Sequence, residues 1–87
     1  PHKATSLKVN TFKARWGSCS ENGMIQLNWK LIFAPIDIID YVIIHEYCHL
    51  RHFNHSKAFW SLVSTYCPAY KVAKKWLKEN AHRLLGV

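Results

Sequence analysis

Three histidines and a glutamate in this chain have the types and spacing of three metal ligands and a general base: His45 and Glu46, His49 three residues beyond, and His55 six further on. In His45-Glu46-Tyr47-Cys48-His49 the histidines are four residues apart, so on an α-helix they sit roughly 40° apart and one turn along. Both imidazoles can then reach one zinc ion. Glu46, beside that face, can serve a zinc-bound water as general base without ligating the ion, the division of labour that metal-assisted hydrolysis requires. A continuous helix would carry His55 about 240° past His49, away from a shared ion. The helix is therefore predicted to end between them, with Asn54 as a left-handed stop and Ser56 capping a new helix from Lys57. His55 would swing back from that turn to complete a three-histidine site, leaving the fourth position to water.

Hydrolysis of an amide also needs a donor for the oxyanion, and the candidates are Arg15, His52, Tyr66 and Tyr70, which the sequence does not rank. Cys19, Cys48 and Cys67 are odd in number and without paired spacing, which argues against a disulfide framework and suits a reducing cytosol. They read as small buried hydrophobes. Asn54-His55-Ser56 matches a glycosylation sequon, an accidental match if His55 is a ligand.

The elements that must position these groups follow from the apolar pattern. Ser6 to Trp16 reads as a strand whose apolar positions change parity, Leu7 and Val9 against Phe12, Ala14 and Trp16, so a bulge or break is expected near Asn10-Thr11. Ser20-Glu21-Asn22-Gly23 is a turn signal, and Ile25, Leu27 and Trp29 alternate beyond it, giving a hairpin. Leu31 to Phe33 either extends that strand or begins the next connection. From Pro35 the chain reads as a helix apolar on nearly every side, hence a central one, with the sheet on one side and later helices on the other. A second helix runs from about Lys57 to Tyr66 and stops before Pro68. A third, Tyr70 to Leu85, places Ala73, Trp76, Leu77, Ala81 and Leu84 on one core-facing stripe.

The expected architecture is a single α+β domain over residues 1–87, close to the size at which one core suffices without staples. The apolar run Ile36 to Ile44 is interrupted by Asp37 and Asp40 and is too short to span a bilayer. The chain begins at Pro1 with no signal-peptide pattern, so the expectation is a cytoplasmic domain cut from a longer protein. Twelve Lys and Arg against five Asp and Glu give a net charge of +7, which favours anionic partners such as nucleotides or nucleic acid. Lys71, Lys74, Lys75 and Lys78 cluster on the last helix, a pattern more often a solvated face than a binding site.

Several separated motifs then occur in order: Arg15-Trp16-Gly17-Ser18-Cys19, Gly23-Met24-Ile25-Gln26-Leu27-Asn28, Asp40 through Leu50, Asn54-His55-Ser56 with Phe59-Trp60, and Trp76-Leu77. Together they resemble the YgjP-like metallopeptidase domain, which is related to SprT-like and other zincin domains. The resemblance covers nearly the whole chain. It implies a minimal zincin core, a small antiparallel sheet beside an active-site helix, with His45, His49 and His55 as zinc ligands and Glu46 as base. Metzincins place Gly between the second and third ligands where this chain has His52, so the turn here must be made otherwise. Members of the resembled family are usually longer, so a C-terminal core is expected that could hold zinc without turning over substrate. The reading is a zinc-dependent metallopeptidase acting on peptide or protein. The alternatives are a metal-dependent phosphoanhydride or nucleotide hydrolase, and a nucleic-acid-associated SprT-like module.

Overall fold

The computed structural model describes residues 6–86, so the outermost residues of the expected 1–87 domain lie outside it. Three strands and three α-helices form an α+β fold: β1 Ser6–Asn10, β2 Gly17–Cys19, β3 Met24–Asn28, a 3-10 helix Trp29–Phe33, α1 Ile36–Cys48, α2 Lys57–Tyr66 and α3 Tyr70–Leu85. Among the described residues no helix is long and apolar enough to cross a membrane.

The parity change at Asn10-Thr11 is resolved by a complete break. The chain leaves the sheet after Asn10, whose Oδ1 accepts from the Thr11 N–H at 2.8 Å, and returns as β2 on the opposite edge. The sheet order is β1-β3-β2, with β1 parallel and β2 antiparallel to β3. The sheet is thus mixed where an antiparallel one was expected, and the hairpin is confined to β2 and β3. Residues 11–23, between β1 and β3, supply the dozen or so that a parallel connection needs. The hairpin turn is as the sequence signals. Gly23 N–H donates to the Ser20 carbonyl at 3.0 Å, and Gly23 takes φ of 91°, a left-handed value that glycine adopts without a Cβ clash.

Ile25 and Leu27 point from β3 into the core, whereas the expected third member of that alternation, Trp29, has left the strand for the 3-10 helix. Asn28 caps this short helix, its Oδ1 accepting from the Lys30 N–H at 3.1 Å. Leu7 and Val9 align in register with Ile25 and Leu27 yet remain exposed, because α1 packs on β2 and β3 and leaves the β1 edge uncovered.

Helix α1 contacts β2 and β3 on one side and α2 and α3 on the other, the central position its apolar circumference requires. Ile38, Tyr41, Val42 and Cys48 of α1 meet Ile25, Leu27 and Leu31, then Phe59 and Val63 of α2 and Ala73 and Leu77 of α3, in one core. The stripe on α3 ends in buried Leu85, one residue beyond the expected Leu84, and Gly86 terminates the helix at φ 75°.

Candidate metal centre

Helix α1 ends at Cys48, earlier than a stop at Asn54 would place it. Residues 49–52 close in turns, with the N–H of Arg51 and of His52 both donating to the Cys48 carbonyl at 3.1 Å. No residue other than glycine has positive φ among those described, so Asn54 is not a left-handed stop. The turn needs none, because His49 itself folds it: its Nδ1–H donates to the His52 carbonyl at 2.9 Å. Ser56 then caps α2 as expected, its Oγ accepting from the Phe59 N–H at 3.2 Å.

This geometry returns His55 to α1. His55 Nε2 lies 3.1 Å from His49 Nε2 and 3.4 Å from His45 Nε2. Ligand atoms of all three imidazoles lie within 4.8 Å of one another, a group that could hold a metal ion. Tetrahedral zinc with Zn–N bonds of about 2.0–2.1 Å sets its nitrogens about 3.3 Å apart, so the two short separations fit that ion. The far nitrogens are also arranged for it. With His49 Nδ1 donating to the His52 carbonyl, its Nε2 keeps its lone pair; His45 Nδ1 lies 3.3 Å from Tyr41 Oη, a hydroxyl able to accept from its N–H when Nε2 binds an ion.

Phe59 forms the floor. Fully buried on α2, its ring stacks on His49 at 4.4 Å and meets His45 and His55 edge-on at 5.0 Å each. Trp60 closes the side, with ring centroids 5.7 Å from both His45 and His55. Burial in this aromatic setting pushes the His45 imidazole down to about 4, and the charges of His49, His55 and Lys74 act in the same direction. His49 is lowered mainly by burial and, less, by His55, against its bond to the His52 carbonyl. Neutral imidazoles are the form that binds metal.

Glu46 lines the same cavity as the three histidines, a space of about 300 Å³ that Arg15, Gly17, Ser18 and Cys19 also border. Its side chain is 7% exposed, and burial raises its pKa to about 7 against the opposing charge of Arg15. Among the oxyanion candidates, Arg15 borders this cavity and a second one over His45, Glu46 and Lys74. Tyr70 stacks on Trp60 at 5.4 Å, on the far side of the site. His52 contributes its backbone carbonyl to His49, and Tyr66 is exposed at the end of α2 and borders none of these spaces.

Four residues to which the sequence assigned no role in the site shape it: Tyr41, Phe59, Asn28 and Lys74. Tyr41 could have been found by spacing, four before His45 and so one turn beneath it. Asn28 is 1% exposed, and its Nδ2 donates to the carbonyls of Phe12 at 3.1 Å and Arg15 at 3.0 Å, which fixes the loop that carries Arg15 to the cavity. Cys48 is buried and outside the histidine cluster, and all three cysteines are free thiols.

The three-stranded sheet on a histidine-bearing central helix is similar in fold to a metallopeptidase. The metallopeptidase zymogen abylysin of Pyrococcus abyssi is similar over 88% of this chain and 80% of its own, with a TM-score of 0.76 at 21% sequence identity. Residues 1–80 match the YgjP-like metallopeptidase domain, and the chain belongs to that family. No curated protein matches it significantly.

Proposed function

We propose that this domain is a zinc-dependent peptidase in which His45, His49 and His55 hold the ion and Glu46 is the general base. The observation that carries the reading is the approach of His55 Nε2 to His49 Nε2 and His45 Nε2 at close to tetrahedral spacing, with all three ligand atoms within 4.8 Å of one another and a buried carboxyl bordering the same space. Bound there, zinc would polarise a substrate carbonyl and lower the pKa of a water toward ~7.

Glu46 accepts the proton of the attacking water and delivers it to the leaving amine. Burial raises its pKa in the metal-free chain, which makes the carboxyl a better proton acceptor and suits a base that must bind the proton before passing it on. Arg15, on the loop held by Asn28, acts electrostatically on the Glu46 carboxyl and borders both cavities at the site, so it is the cation we assign to charge developing on the carbonyl oxygen. Phe59 and Trp60 exclude water from one side of the imidazoles and fix their orientation. Strand β2 lies at the sheet edge and borders the cavity through Gly17, Ser18 and Cys19, so an extended peptide can add to it beside Glu46.

The test is a zinc-loaded preparation of the chain incubated with peptide and nucleotide panels. Peptide cleavage that Glu46→Gln abolishes while zinc stays stoichiometric is the expected result. Retained cleavage in that variant removes the general-base role, and turnover confined to nucleotides replaces the peptidase reading with phosphoanhydride hydrolysis.

A further inference from the structure

The lysines of α3 do not form one solvated face. Lys71 and Lys74 turn toward α2 and, with Lys57 at the start of that helix, border an open hollow of about 840 Å³, while Lys75 and Lys78 lie outside it. Trp60 and Tyr70 form its aromatic wall, their rings stacked at 5.4 Å, and the Lys74 ammonium sits 4.1 Å above the Trp60 ring. No carboxylate is among the residues that border it, although the chain has five. Three lysines thus border one open hollow that no carboxylate of the described residues lines.

Two contacts tie this hollow to the metal centre. His55 borders it directly and stacks on Trp60. Lys74 borders both the hollow and the cavity over His45 and Glu46. A peptide lying across the three histidines has the lysine-lined hollow adjoining it. We infer that the hollow is a substrate subsite for a carboxylate, formed by Lys57, Lys71 and Lys74 on the platform of Trp60 and Tyr70, and that it selects peptides with an acidic group close to the scissile bond. The selection rests on the peptidase reading; the anion site does not. The methylenes of a Glu side chain suit the aromatic wall while its carboxylate meets the ammonium groups.

Two measurements on the zinc-loaded chain test this. The first is the ratio of kcat/KM for C-terminally amidated peptides that carry Glu or Lys in the residues flanking the scissile bond; a Gln peptide with a free C-terminus separates a side-chain carboxylate from a chain end. The second is calorimetric binding of the same peptides to zinc-loaded Glu46→Gln, which needs no turnover. Wild type is expected to favour a carboxylate in both. The double variant K57E/K71E is expected to lower the Glu-to-Lys ratio by about tenfold or more, as exposed ion pairs turn from attraction to repulsion. K75E/K78E makes the same change in net charge outside the hollow and is expected to leave the ratio within about twofold, since distant charges are screened. The single variants K57Q and K71Q are expected to give partial shifts without placing a new charge.

A wild-type ratio near one in both measurements, or equal losses in the two double variants, overturns the subsite. If no peptide is cleaved but binding follows charge, the peptidase reading falls and the carboxylate site stands. If peptides are cleaved without charge preference, the reverse holds.

Discussion

Gly17 leans on Glu46 so closely that a Cβ at position 17 would come within 3.2 Å of Glu46 Cγ and 2.9 Å of the Gln26 carbonyl oxygen. Glycine is required there by space, at the point where β2 passes the cavity. In Gly17→Ala the backbone oxygen cannot yield, so either β2 or the Glu46 side chain must move. The expected result is a loss of peptidase kcat of at least tenfold, with zinc still bound and a destabilisation of about 1–3 kcal/mol typical of overpacking. Turnover and metal content measured on one preparation check it. Unchanged turnover would show that Glu46 has room to adjust.

Tyr41 supports His45 from one helical turn below, through the 3.3 Å contact between its Oη and His45 Nδ1. Tyr41→Phe keeps the ring in the core and removes only this partner. Loss of such a partner costs about 10–100-fold in metal affinity, and that range is expected here with little change in stability of the metal-free chain. Competition with a zinc chelator measures the affinity. A change under about threefold would mean that the phenol does not orient the imidazole. His55→Ala removes a proposed ligand itself and is expected to cost more.

The sequence disclosed those parts of the site that depend on local periodicity. His45, Glu46 and His49 share a helix, and four-residue spacing alone brings the two rings together. The need for a turn before His55 followed from the same geometry, and Ser56 gave the position at which the chain resumes as α2. What makes the turn was not legible. Asn54 was the local candidate, but the turn is held by a bond from the His49 imidazole to the His52 carbonyl, in which a prospective metal ligand also serves the backbone. The sheet was half legible for a related reason. Alternation of Ile25 and Leu27 identifies β3, whereas the side of β3 on which β1 lies is set by the crossover of residues 11–16 and by Asn28, sixteen residues from Phe12. The lysine run on α3 is periodic, yet its division into Lys71 and Lys74 within the hollow and Lys75 and Lys78 outside depends on where α2 packs.

Asn28 links fold to site, and its two roles can be separated by substitution. Its amide nitrogen donates to two carbonyls of the loop 11–16 while its oxygen accepts from Lys30 N–H. Asn28→Asp keeps the acceptor and the shape but sets a carboxylate against the carbonyls of Phe12 and Arg15. Leaving buried partners unpaired costs about 1–3 kcal/mol, so a loss in that range or above is expected in chemical denaturation. Because the loop carries Arg15, kcat should fall at temperatures where the variant is still folded, with zinc retained. A stability loss without an effect on kcat would place Arg15 outside the reaction.

Glu46 and His45 should impose opposite pH dependences on the metal-free protein. Burial lowers the His45 pKa from 6.5 to about 4, so between these values the unfolded chain holds the proton and stability falls as the pH falls. Burial raises the Glu46 pKa from 4.5 to about 7, so between these values the folded chain holds the proton and stability falls as the pH rises. The two offset each other between about pH 4.5 and 6.5. Glu46→Gln removes one of them. After chelation of metal, the variant is expected to exceed wild type in stability above pH 7 by up to about 3 kcal/mol, the free energy that separates 4.5 from about 7. That advantage should shrink through the window and vanish below pH 4.5, where both carboxyl states are neutral. Urea midpoints at pH 4, 5.5 and 8 measure it. A difference that stays constant with pH would assign the effect of Gln to packing and leave the buried carboxylate without an electrostatic cost.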